Sequence, residues 1–184
     1  SGWDSVASSF AVSKGKWYAE VKWVSGSYII AGIENADVSS AGWISNYPGY
    51  SSEGFGYGWD GDKRNNATTS SYGATLSTGD IVGIAIDMDN KYLYFSKNGT
   101  WQNSGDPESG STGTGGLDLS NKASDYYFTA AVYNSSHSWN FGNGYFGTTA
   151  VASANSDSAG LGQFEYSVPS GYYALCTKNI ADYG

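Results

Sequence analysis

One unbroken run constrains this chain more than any other: Gly79-Asp80-Ile81-Val82-Gly83-Ile84-Ala85-Ile86-Asp87-Met88-Asp89-Asn90-Lys91-Tyr92-Leu93-Tyr94-Phe95-Ser96-Lys97-Asn98-Gly99-Thr100-Trp101. Apolar residues fill Ile81 to Ile86, Asp89-Asn90 supplies side chains that tolerate a tight turn, and Tyr92, Tyr94 and Ser96 then alternate with Leu93 and Phe95. That pattern is a β-hairpin, and Asn98-Gly99 closes its second strand.

The rest of the 184 residues agrees with an all-β reading. Aromatics make up 16%, there are 26 glycines, and only 14% of residues are charged, a mixture suited to short strands joined by many turns. Strands are expected near 10–12, 16–24, 28–34, 55–59, 80–88, 91–97, 126–133, 137–141 and 164–166, the pattern of an antiparallel two-sheet β-sandwich. Alternation along the second of these sets Trp17, Ala19 and Val21 against Tyr18, Glu20 and Lys22, with Trp17 in the core. The one helix-friendly stretch, Asn121 to Asp125, is too short to organise a fold. Two segments, 103–116 and 147–162, are rich in Gly, Ser, Thr or Ala and are expected to be mobile and to build no core.

Nine basic against seventeen acidic residues give a net charge of −8, which opposes phosphate backbones and anionic membrane surfaces, so no nucleic-acid partner is expected. The single Cys176 excludes an intrachain disulfide and reads as a small buried hydrophobe. No apolar run is long enough to span a bilayer, so no membrane insertion is expected, and the start at Ser1-Gly2 suggests an excised domain or a processed product.

Taken with Gly15-Lys16-Trp17-Tyr18-Ala19-Glu20-Val21 and Gly56-Tyr57-Gly58-Trp59-Asp60-Gly61, in that order, the hairpin resembles the SPRY (B30.2-like) family of concanavalin A-like sandwiches. The resemblance covers roughly residues 15 to 142. It implies a jelly-roll sandwich that binds rather than catalyses, with residues 1–184 as a single domain and 164–184 as its closing strand and a C-terminal linker to a further part of the parent protein. Within that tail, Phe164, Pro169-Ser170-Gly171-Tyr172, Ala174-Leu175 and Thr177-Lys178-Asn179 resemble the phrase that follows SPRY-like modules in tailed-phage structural proteins, which implies a virion or extracellular location.

Catalytic chemistry finds little support. Glycoside hydrolysis wants two carboxyls roughly 5–9.5 Å apart, and Asp87 and Asp89 flank a turn in which Asp bonds its own backbone. Glu20, Glu34, Glu53 and Glu165 stand singly. His137, the only histidine, reads as a surface or half-buried polar residue rather than a triad base. Asp60-Gly61-Asp62 followed by Asn65-Asn66 raises calcium, but Arg64 stands where an EF-hand loop needs an oxygen and Ser71 where it needs a carboxylate, so a loop turn explains it better, with a noncanonical site left open. No cofactor is expected. Sequons at Asn66, Asn98 and Asn134 matter only on a eukaryotic secretory route.

What remains is a stock of Tyr, Trp, Ser, Gly and Asn in loops, the set that serves recognition on rigid scaffolds. Three candidate surfaces follow. The first is the segment 43–51, where Tyr47 and Tyr50 are the expected ligand contacts and Trp43 serves equally well as a plug for the sandwich. The second is Lys63, Arg64, Asn65 and Asn66, read as a loop after the Gly-Trp-Asp motif, whose Trp59 is assigned a structural role; the resemblance implies ligand contact there. The third is Tyr133 with Asn134, following the strand Tyr126 to Val132, where the resemblance implies an aromatic pocket residue at Tyr133. The expected partner is a host surface glycan or protein; the alternatives are a virion assembly domain contacting other subunits, a peptide-binding adaptor, or a glycoside hydrolase.

Overall fold

A computed structural model describes residues 2–35 and 46–184. They are nearly all β and antiparallel, consistent with a β-sandwich, and they gather into two compact units: Ser1–Ser13, Trp23–Asp80 and Asn121–His137 in the first, Lys14–Lys22, Ile81–Ser120 and Ser138–Gly184 in the second. Two long strands, β2 (Lys16–Asn35) and β10 (Tyr126–Asn140), contribute to both. Each was expected as two shorter strands. Residues 24–28 of β2 are exposed, so the loss of apolar alternation there marks a strand emerging into water and not its end. Gly26, at φ +98°, and Asn134, at φ +47°, carry the ladder through this stretch, and Ser25 and Ser136 join their hydroxyls at 2.7 Å.

In the first unit, β1 (Asp4–Ala7) pairs antiparallel with Thr129–Val132 of β10, whereas the strand expected at 10–12 is reduced to a bridge between Val12 and Tyr126. β3 (Phe55–Gly58) runs antiparallel to Ile30–Ile33, with Gly32 opposite Gly56; a Cβ on Gly32 would strike the Phe55 carbonyl across the pair, and one on Gly56 would strike the Pro48 carbonyl. The stretch 62–71, read from sequence as a loop at Lys63–Asn66, is a hairpin: β4 (Asp62–Asn65) and β5 (Thr68–Ser71) meet through Asn66 and Ala67, both at φ +54°. That double left-handed turn matches the twist of a two-residue hairpin, and its polar strands hid it from any periodicity. Ile29, Ile30, Ile33, Tyr57, Tyr126 and Phe128 fill this unit's core.

In the second unit, Lys16–Lys22 of β2 pairs with β6 (Ile81–Asp87), which pairs with β7 (Tyr92–Lys97); β8 (Thr100–Trp101) and β9 (Leu117–Asp118) extend β7. The β6–β7 turn is built as its residues suggest. Asp87 accepts the backbone N–H groups of Asp89 and Asn90 at 3.1 and 2.9 Å and the Asn90 amide at 2.8 Å, and Lys16 pairs with it at 2.9 Å. Trp17 is core as expected, but so is the opposite face: Tyr18 and Glu20 are as buried as Ala19 and Val21.

The 147–162 segment, expected to be mobile, is tied into this unit. It contains β12 (Thr149–Ala150), which pairs with β11 (Tyr145–Phe146), and β13 (Asn155–Ser156), which pairs with β14 (Gln163–Phe164). Buried Asp157 accepts the N–H groups of Leu161, Gly162 and Ala174 at 2.8 to 3.0 Å and the Asn179 amide at 2.8 Å. The tail expected as a closing strand and linker, 164–184, holds β15 (Tyr173–Ala174), parallel to Trp17–Tyr18, followed by helix α1 (Thr177–Tyr183). Cys176 is only half-buried, at the start of α1. Segment 103–116 also holds internal bonds: Asp106 donates its N–H to the Thr114 carbonyl at 2.9 Å.

Two carboxylates in this unit predict opposite pH behaviour. Burial raises the Glu20 pKa, and the N–H groups of Glu165 and Tyr166, both at 2.9 Å, oppose but do not cancel that rise. Burial pushes Asp157 up too, but there the hydrogen bonds from Ala174, Gly162, Leu161 and Asn179 win and hold it below its ordinary value. The stability Asp157 contributes is therefore present above its unfolded pKa of about 3.9 and lost as pH falls through the lower folded value. Glu20 adds most below about 4.3, its unfolded value, and loses that contribution as pH rises through its elevated folded value. In thermal melts from pH 2 to 8, Asp157→Asn should flatten the acid limb. At neutral pH, Glu20→Gln should lose ~2 kcal/mol or more in chemical denaturation, because its amide would turn N–H groups toward N–H groups.

Candidate functional site: an aromatic face in the first unit

Trp59 follows directly on β3, its backbone held by an N–H bond to the Ile29 carbonyl at 3.0 Å and by its own carbonyl accepting Leu76 N–H at 2.8 Å. Its ring meets Tyr28 at a centroid distance of 4.5 Å and Trp3 at 5.9 Å. Trp3 also reaches Tyr47 at 5.4 Å and Tyr133 at 5.9 Å, Tyr28 lies 6.0 Å from Tyr133, and Tyr47 meets Tyr50 edge-on at 5.7 Å. Six aromatic side chains thus form one continuous cluster. Trp3, Tyr47, Trp59 and Tyr133 are half-buried, and Tyr28 and Tyr50 are 40% and 39% exposed. The cluster is thus only partly closed to water.

The support beneath it is ionic. Arg64 is only 4% exposed, and its guanidinium lies 4.7 Å from the Trp59 ring centroid. Its fork is committed to Asp60, through Nη1 to Oδ1 at 2.8 Å and Nη2 to Oδ2 at 2.6 Å, and Nη1 also reaches the Asp62 carbonyl at 2.9 Å. Burial would raise the Asp60 carboxyl, but the hydrogen bonds and charge of Arg64 outweigh it and hold the group below the usual carboxylate range. Gly58 is required here because a Cβ would collide with Arg64 Nη1. The Gly-Trp-Asp motif is thus a bracket: glycine makes room, aspartate fixes the guanidinium, and the guanidinium backs the indole.

A second buried carboxylate fixes the tyrosine loop. Glu34 accepts Gly49 N–H at 2.7 Å and the Ser51 hydroxyl at 2.6 Å, on either side of Tyr50; its pKa is raised, by burial above all. Tyr50 N–H closes a turn on the Tyr47 carbonyl at 3.0 Å, and the β4–β5 turn adds Asn66 N–H to Ser51 and Ala67 N–H to Gly49 at 2.8 and 3.2 Å.

Tyr47, Tyr50 and Tyr133 are therefore brought together. Arg64 is the backing of the face, its donors facing Asp60, and Asn65 uses its amide on the Ser52 and Gly54 carbonyls at 2.9 and 2.6 Å. Lys63 is half-buried on β4, Asn66 is exposed in the hairpin turn, and Asn134 is exposed beside Tyr133. Trp43 lies outside the described residues. The sequence reading missed Trp3 and Tyr28 and gave Trp59 a purely structural role. The exposure of 24–28 would have pointed to Tyr28; nothing local marks Trp3.

Other chemistry is accounted for. Asp60, the lead candidate for a calcium ligand, is engaged by Arg64, and among the described residues no three His, Cys, Asp or Glu side chains group as a metal site. His137 is half-buried, and burial lowers its pKa. Among the described residues no helix is long and apolar enough to cross a membrane.

The hairpin, the Gly-Trp-Asp bracket and the paired Trp17 strand are matched together by the SPRY domain family model over residues 16–111. The chain belongs to the SPRY domain family. SPRY domains are noncatalytic protein-interaction modules. Similar curated proteins are the ATP-dependent RNA helicase DDX1 of Xenopus laevis, 32% identical over 101 residues, and Ddx1 of Drosophila melanogaster, 30% identical over 90 residues. These matches cover 53% and 47% of this SPRY chain but only 12% and 11% of the helicases.

Gly58→Ala should push Arg64 out of its seat and destabilise the protein by about 1–3 kcal/mol, with a shift in tryptophan emission as Trp59 loses its cationic neighbour. Urea denaturation followed by fluorescence checks both.

Proposed function

We propose that this SPRY chain is a noncatalytic recognition module whose binding face is the cluster of Trp3, Tyr28, Tyr47, Tyr50, Trp59 and Tyr133. In this reading its parent is a structural or tail-fibre protein of a phage, seated on the virion, and its target is a protein or glycan on the host surface. The observation that carries the binding role is the half-exposed ring cluster on a base fixed by Arg64, Asp60 and Glu34. Tyr and Trp offer large rigid contact area at low entropic cost, and a pre-set face loses little freedom on binding. The phrase from Pro169 to Asn179 supports the phage parent. The net charge of −8 argues against nucleic acid as the target.

The test is a glycan array and a capture assay on host envelope proteins, run with the parent chain and with a Tyr47→Ala, Tyr50→Ala, Tyr133→Ala variant. Retention in either assay that the variant weakens ~10-fold or more, as expected for truncated hot-spot tyrosines, supports the reading. Retention unaffected by the variant removes the aromatic face from it. No retention in either assay, with the chain folded, points to contact with other virion subunits.

A further inference from the structure

The second unit carries a cleft of its own, open and about 270 Å³ in volume, lined by Gly15, Lys16, Asp89, Gly171, Tyr173 and Tyr183. Its aromatic wall is a stacked pair, Tyr173 on Tyr183, with centroids 3.8 Å apart and planes within 8°. Tyr183 remains 41% exposed. Gly15 lets this wall form: it sits at φ +78°, and a Cβ there would come within 2.5 Å of the Tyr183 carbonyl oxygen.

The two charged residues in the lining differ in what they have left to offer. Lys16 is neutralised by Asp87 at 2.9 Å and lies over the Tyr172 ring at 5.7 Å. Asp89 is exposed, and its Oδ1 accepts Gly15 N–H at 2.8 Å. Its Oδ2 takes no hydrogen bond among the described residues. The cleft thus offers electron-rich ring faces and one uncommitted carboxylate oxygen, the two elements that together select a cation. Its volume falls just below the range of pockets that enclose drug-sized ligands, which suits a single side-chain head group entering from an open surface. A planar guanidinium suits both elements best, because its flat face stacks on a ring while an edge N–H reaches the carboxylate oxygen, whereas an ammonium meets a ring as a compact, strongly hydrated point charge. The net charge of −8 favours approach of a basic partner.

We propose that this cleft binds the arginine side chain of a partner polypeptide, its guanidinium stacked on Tyr183 and hydrogen-bonded to Asp89 Oδ2. The site shares no residue with the aromatic face of the first unit, so each stands or falls alone.

The experiment is an NMR titration of the isotope-labelled chain with a five-residue peptide carrying one central arginine, beside the same peptide with neutral citrulline and beside ethylguanidinium. Saturable shifts at Gly15, Asp89 and Tyr183 are expected, with citrulline at least ~10-fold weaker and ethylguanidinium weaker than the peptide. Asp89→Asn keeps a carbonyl for Gly15 N–H and should hold the fold, shown by an unchanged spectrum elsewhere, while losing the arginine response; Tyr183→Leu should weaken it independently. Equal binding of citrulline, ethylguanidinium as tight as the peptide, an Asp89→Asn response equal to the parent's, or no saturable shift would each overturn the proposal.

Discussion

The structure depends on carboxylates placed inside it. A buried carboxylate is unfavourable unless N–H and O–H groups replace the water it has lost, and along this chain the replacements come from loops distant in sequence. Glu20 draws the N–H groups of Glu165 and Tyr166; Glu34 takes Gly49 N–H and the Ser51 hydroxyl; Asp157 takes three N–H groups and the Asn179 amide. Both glutamates stand on β2, one in each unit. Each of these carboxylates adds a tie to the loop it meets, beside the backbone bonds and ring contacts that also hold it. The charge therefore does what a hydrophobic staple would do in a chain with richer loops.

That arrangement explains how Gly- and Ser-rich segments are ordered in the absence of any disulfide. Segment 147–162 lacks the apolar surface to pack itself, yet Asp157 within it bonds to β15 and α1 and turns the segment into a structural tie. The same logic divides the Gly-Trp-Asp region into support and surface. Arg64 spends its donors on Asp60 and Asp62 and supports the surface through Trp59, over whose ring its guanidinium lies.

Much of the fold was legible because it obeys period two. The β6–β7 hairpin, the Asp87 turn and the burial of Trp17 all follow from alternation and turn chemistry in adjacent residues. What was not legible lacked that signature. β4 and β5 read Asp-Lys-Arg-Asn and Thr-Thr-Ser-Ser, polar on both faces, so only the left-handed Asn66-Ala67 turn betrays a hairpin. The middle of β2 looked like a break because exposure removes apolar pressure without ending the ladder. In the aromatic cluster, Tyr47 and Tyr50 were singled out from loop composition and Tyr133 from the family resemblance, whereas Trp3 joins them only through tertiary placement, some forty residues from its nearest ring partner in sequence. Single glutamates looked unremarkable for the same reason: their partners lie up to 146 residues away.

The aromatic face and its support therefore answer to different constraints. Asp60 and Arg64 satisfy each other, Gly58 leaves them room, and Glu34 separately holds Gly49 and Ser51, so a change in any of them leaves a polar group unpaired or a clash in place. The outward rings differ: Tyr28 and Tyr50 are exposed and meet Trp59 and Tyr47 through ring contacts. Ring packing at those positions and the bracket beneath them are thus separable: contact among aromatic side chains sets the one, and paired charge sets the other.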